Sequence, residues 1–212
     1  MTLLPPQTPR QMLFAQARNI TYFTILCLFV LILWKLAEMH STDFVAEGGV
    51  LENMQLGILL LTSLIFGIQA IFNKIHRPVL LLLASLTAAA VIRELDAFFD
   101  DFLPIISWKF CWLLPISAII YNIRRGKAAL DTLISFQRSN CFTMLVTAAI
   151  IIIPIGQILG HRSFLNDMLE HPGVNTYLLR RIMEEPIELM GYLQILLASI
   201  EFYIEAQLRK KH

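Results

Sequence analysis

Six long apolar runs dominate this sequence, and they decide what the chain can become. They cover about residues 20–37, 50–72, 78–98, 102–123, 141–160 and 182–206. A helix needs about 20 mostly apolar residues to cross the hydrocarbon core of a bilayer. In lipid every backbone N–H and C=O has to be satisfied within the segment, so such runs become helices. The expected fold is an all-α polytopic membrane bundle of about six transmembrane helices. Composition agrees: 57% of the 212 residues are apolar and 16% are charged, against about 45–50% and about 25% in soluble domains.

The polar segments then fall into place as connections. Residues 1–19 read as a cytoplasmic tail, residues 20–208 as one transmembrane domain, and residues 209–212 as a second cytoplasmic tail. The largest extramembrane piece is an outer loop at 161–181, long enough for a lid or short helix but not for a domain. The first run has the basic lead-in of a signal peptide, Arg10 and Arg18. No small-x-small cleavage site follows it, and the chain continues Lys35-Leu36-Ala37-Glu38. It therefore reads as an uncleaved anchor. Residues 124–140 mix apolar and charged side chains, as an amphipathic helix on the inner leaflet or an early start of the fifth run would.

Charge sets the orientation. With the N-terminus in the cytoplasm, 11 of the 17 Lys and Arg fall inside and 6 outside. Basic residues near span ends favour the cytoplasm. Each alternate connection obeys this, so both termini are expected inside. The pattern suits a multi-pass protein of a bacterial inner membrane. The same assignment puts 13 of the 16 acidic residues outside. The positive-inside rule says nothing about acids, so this excess asks for its own explanation.

Four polar clusters supply it. Glu52 and Gln55, three residues apart, share a face at the start of the second run. Arg93, Glu94 and Asp96 close the third. Asp100, Asp101, Trp108 and Lys109 open the fourth. Arg180, Arg181, Glu184, Glu185 and Glu188 open the sixth, with Tyr192 one turn deeper. Arg180 and Arg181 stand four residues before Glu184 and Glu185, and Glu188 stands four before Tyr192, so one face carries a ladder into the membrane. Carboxylates inside a bilayer are costly and face a cavity or a partner. Binding residues are accordingly expected at Glu52, Gln55, Arg93, Glu94, Asp96, Arg181, Glu184, Glu185, Glu188 and Tyr192. A plainer account exists for some. Acids suit helix N-termini, so Glu52, Asp101, Glu184 and Glu185 are also explained as capping residues, and Pro104 and Pro186 as first-turn prolines. Glu188 lies too deep for capping.

Other signals are weaker. Cys27, Cys111 and Cys141 form no CxxC pair and read as packing residues. Pro154 predicts a kink in the fifth run. Gly57, Gly67 and the Ala84–Ala90 stretch permit close helix contacts. There is no P-loop, GxSxG, HExxH or paired-Cys motif. Nucleic acid is not an expected partner, because the basic residues are spread along a membrane face.

Three functions follow as expectations. The first is a non-enzymatic bundle whose outward acidic and arginine cavity binds a cation, a solute, a lipid head group or a partner protein, as an accessory subunit or homo-oligomer in contact with membrane lipid. The second is a membrane-embedded hydrolase or transferase acting on lipid at the outer leaflet. No cofactor motif is present; a divalent metal on Glu185, Glu188, His161 and His171 is what that enzyme would take. The third is a proton or cation pathway through Glu188, Tyr192, Gln194 and Glu201, against which the apolar run Ile195–Ile200 stands.

Overall fold

In the computed structural model, residues 9–40, 44–46, 48–95, 108–156, 158 and 176–210 are described. All their secondary structure is helical. The seven α-helices are α1 (Pro9–His40), α2 (Val50–Phe72), α3 (Arg77–Glu94), α4 (Leu113–Arg125), α5 (Lys127–Phe136), α6 (Asn140–Ile150) and α7 (Thr176–Lys210). A 3-10 turn, Trp108–Trp112, leads into α4, and a π-helical segment, Ile151–Gly156, continues α6. The chain divides into two compact units, residues 1–41 and 42–212.

Among the described residues three helices are long and apolar enough to cross a membrane: Leu13–His40, Val50–Phe72 and Leu179–Leu208. They fit a membrane protein. Among the described residues the other runs appear as shorter pieces. α3 has 18 residues and carries Arg77, Arg93 and Glu94, and α4 has 13. The fifth run forms α6 plus the π segment, bent by 82° from α5.

The first unit is α1. Its helix begins at Pro9 rather than after a polar tail. Pro is tolerated at a helix start because its missing N–H has no intrahelical partner there. Thr21 and Thr24 return their hydroxyls to the carbonyls of Ala17 and Ile20 at 2.9 Å, so neither leaves a polar group to the apolar face.

The second unit is built on α2 and α7. Entry into α2 needs Gly48 at φ +71°, a left-handed backbone that side-chain-bearing residues disfavour. Glu52 in the first turn accepts the Gly48 N–H at 2.6 Å, tying the turn to the helix. Along α2, Leu51, Gln55, Leu59, Thr62, Phe66 and Gln69 are all buried, at steps of three or four residues. That spacing makes one stripe. α2 ends at Asn73, whose Oδ1 accepts the His76 N–H at 3.2 Å and turns the chain into α3. Ser63 donates to the Ala84 carbonyl at 3.2 Å, so α2 and α3 approach closely at the small-residue stretch. Gly126 at φ +56° makes the corner between α4 and α5. Thr132 of α5 donates to the Ile75 carbonyl at 3.2 Å and Asn122 of α4 to the Pro78 carbonyl at 3.1 Å, fastening that corner to the α2–α3 turn. The Ser139 hydroxyl caps α6 by accepting the Phe142 N–H at 3.1 Å.

Pro154 lies inside the π segment, where its missing N–H breaks the regular ladder. The expected kink is thus a π-helical turn. It packs on α7 at Gly191, where a Cβ would stand 2.2 Å from the Ile152 side chain. A Cβ at Gly57 or Gly67 would meet nothing within 4 Å among the described residues. Among the described residues, the glycine against which another helix packs closely is Gly191 in α7. Pro186 is also displaced from its expected role: α7 begins at Thr176, so this proline is interior to the helix.

Among the described residues, two apolar clusters lie along this unit. One gathers Phe66, Ala70, Leu80, Phe136, Cys141 and Phe202 near the α2–α3 turn. The other, Leu59, Val91 and Tyr192 with Ile152 and Ile195 against it, lies further along the same helices.

Candidate functional site

The N-terminal ends of α2 and α7 and the C-terminal end of α3 come together. Arg181 reaches across from α7 to pair with Glu52 of α2, and lies 3.4 Å from Glu185. Gln55, fully buried, donates Nε2 both to the Glu185 carboxylate at 2.9 Å and to the Glu185 carbonyl at 3.1 Å. Arg93 at the end of α3 donates Nη2 to Glu94 at 2.6 Å, to Glu188 at 3.2 Å and to the Tyr192 hydroxyl at 2.9 Å. Tyr192 in turn donates to Glu94 at 3.0 Å. Arg180 pairs with Glu184 at 2.8 Å.

Nine of the ten expected binding residues take part in these three contact sets on α2, α3 and α7, and Asp96 lies outside the described residues. The helical spacing correctly anticipates the Arg180–Glu184 and Arg181–Glu185 pairs. The capping account of Glu184 and Glu185 fails: α7 begins at Thr176, more than two turns earlier, and both acids are engaged by arginine or glutamine. It holds for Glu52, which binds the Gly48 N–H.

The cluster is graded from exterior to core. The Arg93 side chain is 45% exposed, while Glu188 is 8% exposed. Arg93 therefore stands at the mouth with carboxylates behind it. Five carboxylates (Glu52, Glu94, Glu184, Glu185, Glu188) face three guanidinium groups (Arg93, Arg180, Arg181), an excess of two negative charges in the described cluster. The Gln55 Oε1 is buried and has no hydrogen-bond partner among the described residues. Beneath the cluster, Leu59, Val91 and Ile195 close the way with apolar side chains.

At the other end of α7 lies a second polar set, of which the sequence named Glu201 as part of a pathway but not its partners. Gln69 donates Nε2 to the Ser199 carbonyl at 2.9 Å. Glu205 accepts the backbone N–H of Asn140 at 3.0 Å, and Glu201, fully buried, accepts the Asn140 side chain at 3.3 Å. These two acids stand at the start of α6, where the helix dipole favours negative charge. The i, i+4 spacing of Glu201 and Glu205 was the available signal; the start of α6 at Asn140 was the missing half.

The proposed metal ligands divide. His161 and His171 lie outside the described residues. Among the described residues no group of three His, Cys, Asp or Glu side chains is placed to hold a metal ion. Glu185 and Glu188 are occupied instead by Gln55, Arg181 and Arg93. Cys27, Cys111 and Cys141 are free thiols, the last two buried. Comparisons with protein-family models, with curated proteins and with solved structures find no match to this chain.

Proposed function

We propose that this chain is a multi-pass protein of a bacterial inner membrane, with six spans and both ends in the cytoplasm, whose outward-facing cluster on α2, α3 and α7 binds a cationic ligand. The carrying observation is that, among the described residues, three arginines meet five buried or half-buried carboxylates. A low-dielectric site does not tolerate uncompensated charge. Glu94, Glu188 and the Tyr192 hydroxyl, all held by Arg93, are the groups a cationic ligand would have to take over from that guanidinium.

The orientation is supported by the opposite end. Lys74, Arg77, Arg124, Arg125, Lys127 and Arg138 are all exposed there, around the α2–α3 turn and the α4–α5 corner fastened to it. Basic residues so gathered favour the cytoplasmic side.

The test is binding. Detergent-purified protein is titrated with divalent metal ions and, separately, with a diamine, and its thermal midpoint is followed. A ligand that binds only the folded chain raises the midpoint with concentration. The rise is expected in the wild type and should be lost in Glu188→Gln and in Glu94→Gln. No rise with either class of cation, or an equal rise in all three proteins, overturns the reading.

A further inference from the structure

At the far end of the α2–α7 pair, away from the carboxylate cluster, the two helices part and leave a groove of about 310 Å³. Its walls are Ile65, Ile68 and Phe72 of α2 and Ile200, Tyr203 and Ala206 of α7. The outer rims are exposed, Phe72 at 76% and Ile68 at 53%. Both helices are among those apolar enough to cross a membrane, so the groove opens toward lipid. Gln69 lines it and closes its floor by bonding to the Ser199 carbonyl of the facing helix. Its polar groups lie at one end: Asn73 closes α2, and Gln207 stands in the last turn of α7.

Size selects the occupant. The groove follows α2 from Ile65 to Asn73, roughly 12 Å at 1.5 Å per residue. A single acyl chain is narrow enough. Charge selects the head group. Lys74 follows Asn73 directly and is exposed, Arg77 begins α3, and Arg209 and Lys210 come two and three positions after Gln207 in the sequence. Exposed Lys74, next to the lining residue Asn73, puts a basic side chain at the polar end of an apolar slot, which suits a long-chain amphiphile with a negative head.

We infer that the α2–α7 groove holds one acyl chain of an anionic glycerophospholipid from the surrounding leaflet, its phosphate lying toward Lys74 and the end of α7. This site is separate from the cation-binding reading and shares none of its residues; only the name of the leaflet, cytoplasmic, depends on the orientation given there.

The experiment is lipid retention measured by native mass spectrometry. The full chain is taken from vesicles of phosphatidylglycerol or of phosphatidylcholine into a mild detergent. One phosphatidylglycerol per chain is expected to survive, with little phosphatidylcholine. Ala206→Phe fills the groove and should abolish retention. Lys74→Gln, at an exposed site, should weaken it about fivefold, the factor that one basic residue near a membrane surface is worth. Ile119→Phe on the exposed face of α4 should retain lipid like the wild type. Each variant is first shown to elute and melt as the wild type does, and Lys74→Gln carries the test if Ala206→Phe fails to fold. Equal retention of the two lipids, unchanged retention in Ala206→Phe or Lys74→Gln, or a dimer in place of the lipid-bound monomer overturns the assignment.

Discussion

The two ends of the α2–α7 pair solve one problem in two ways. At each end a buried glutamine of α2 reaches a backbone carbonyl of α7: Gln55 to Glu185 and Gln69 to Ser199. Fourteen residues separate the two glutamines, and fourteen separate the two carbonyls. The helices therefore run parallel and in register over about 21 Å. At the Gln69 end, the bond across the helices is between neutral groups, and the neighbouring acids Glu201 and Glu205 lie on the start of another helix. At the Gln55 end the same bond is wrapped in eight charged side chains. Holding two helices together does not require those charges, since the other end manages with one amide. The extra charge is therefore the part that asks for a function.

The comparison breaks most visibly if the charged end is only a clasp. Arg181 pairs with Glu52 on α2 and Glu185 on α7, and its side chain is 11% exposed. Removing one partner of a buried ion pair leaves an uncompensated charge and costs about 3–5 kcal/mol. Arg181→Ala is expected to lower stability by that order, read as a loss of folded, monodisperse protein in detergent. If the charges bind a cation, divalent metal or diamine should restore part of the loss. Rescue by neither would reduce the cluster to structure.

A smaller effect separates the two glutamines directly. Gln55→Leu removes a bond to a carboxylate as well as one to a carbonyl, about 2 kcal/mol. Gln69→Leu removes one neutral bond, about 1 kcal/mol. Thermal midpoints of the two variants against wild type give the order. A Gln69→Leu loss equal to or larger than that of Gln55→Leu would show that both ends do the same work.

How much of this was legible in the sequence follows from the range of each interaction. Pairs within α7, Arg180–Glu184 and Arg181–Glu185, follow from helical spacing alone. The grouping of Arg93 with Glu188 follows from charge and the alternation of spans. Partners across helices did not follow: Glu52 with Arg181, Gln55 with Glu185 and Gln69 with Ser199 require the register of α2 on α7, which no single segment encodes. Helix starts were misplaced for a related reason. Polar residues 9–19 and 176–181 continue their helices beyond the apolar runs, because hydropathy marks where lipid is met, not where the helix begins. That error made Glu184 and Glu185 look like capping residues. Gly191 was overlooked because its role depends on Ile152, about forty residues earlier.

The smallest predicted effect tests the neutral end. Asn140 offers two groups to α7: its backbone N–H to Glu205 at 3.0 Å, and its side-chain amide to Glu201 at the longer distance of 3.3 Å. Asn140→Ala keeps the first and removes the second. Glu201 has other contacts, so it is not stranded by the change. The expected loss is about 0.5–1 kcal/mol, well below that of Arg181→Ala, with lipid retention and cation response both as in the wild type. A loss as large as that of Arg181→Ala would mean that the Glu201 side depends on a specific side-chain partner as strongly as the Glu52 side does. The charged cluster would then lose its claim to be the end where charge exceeds what folding requires.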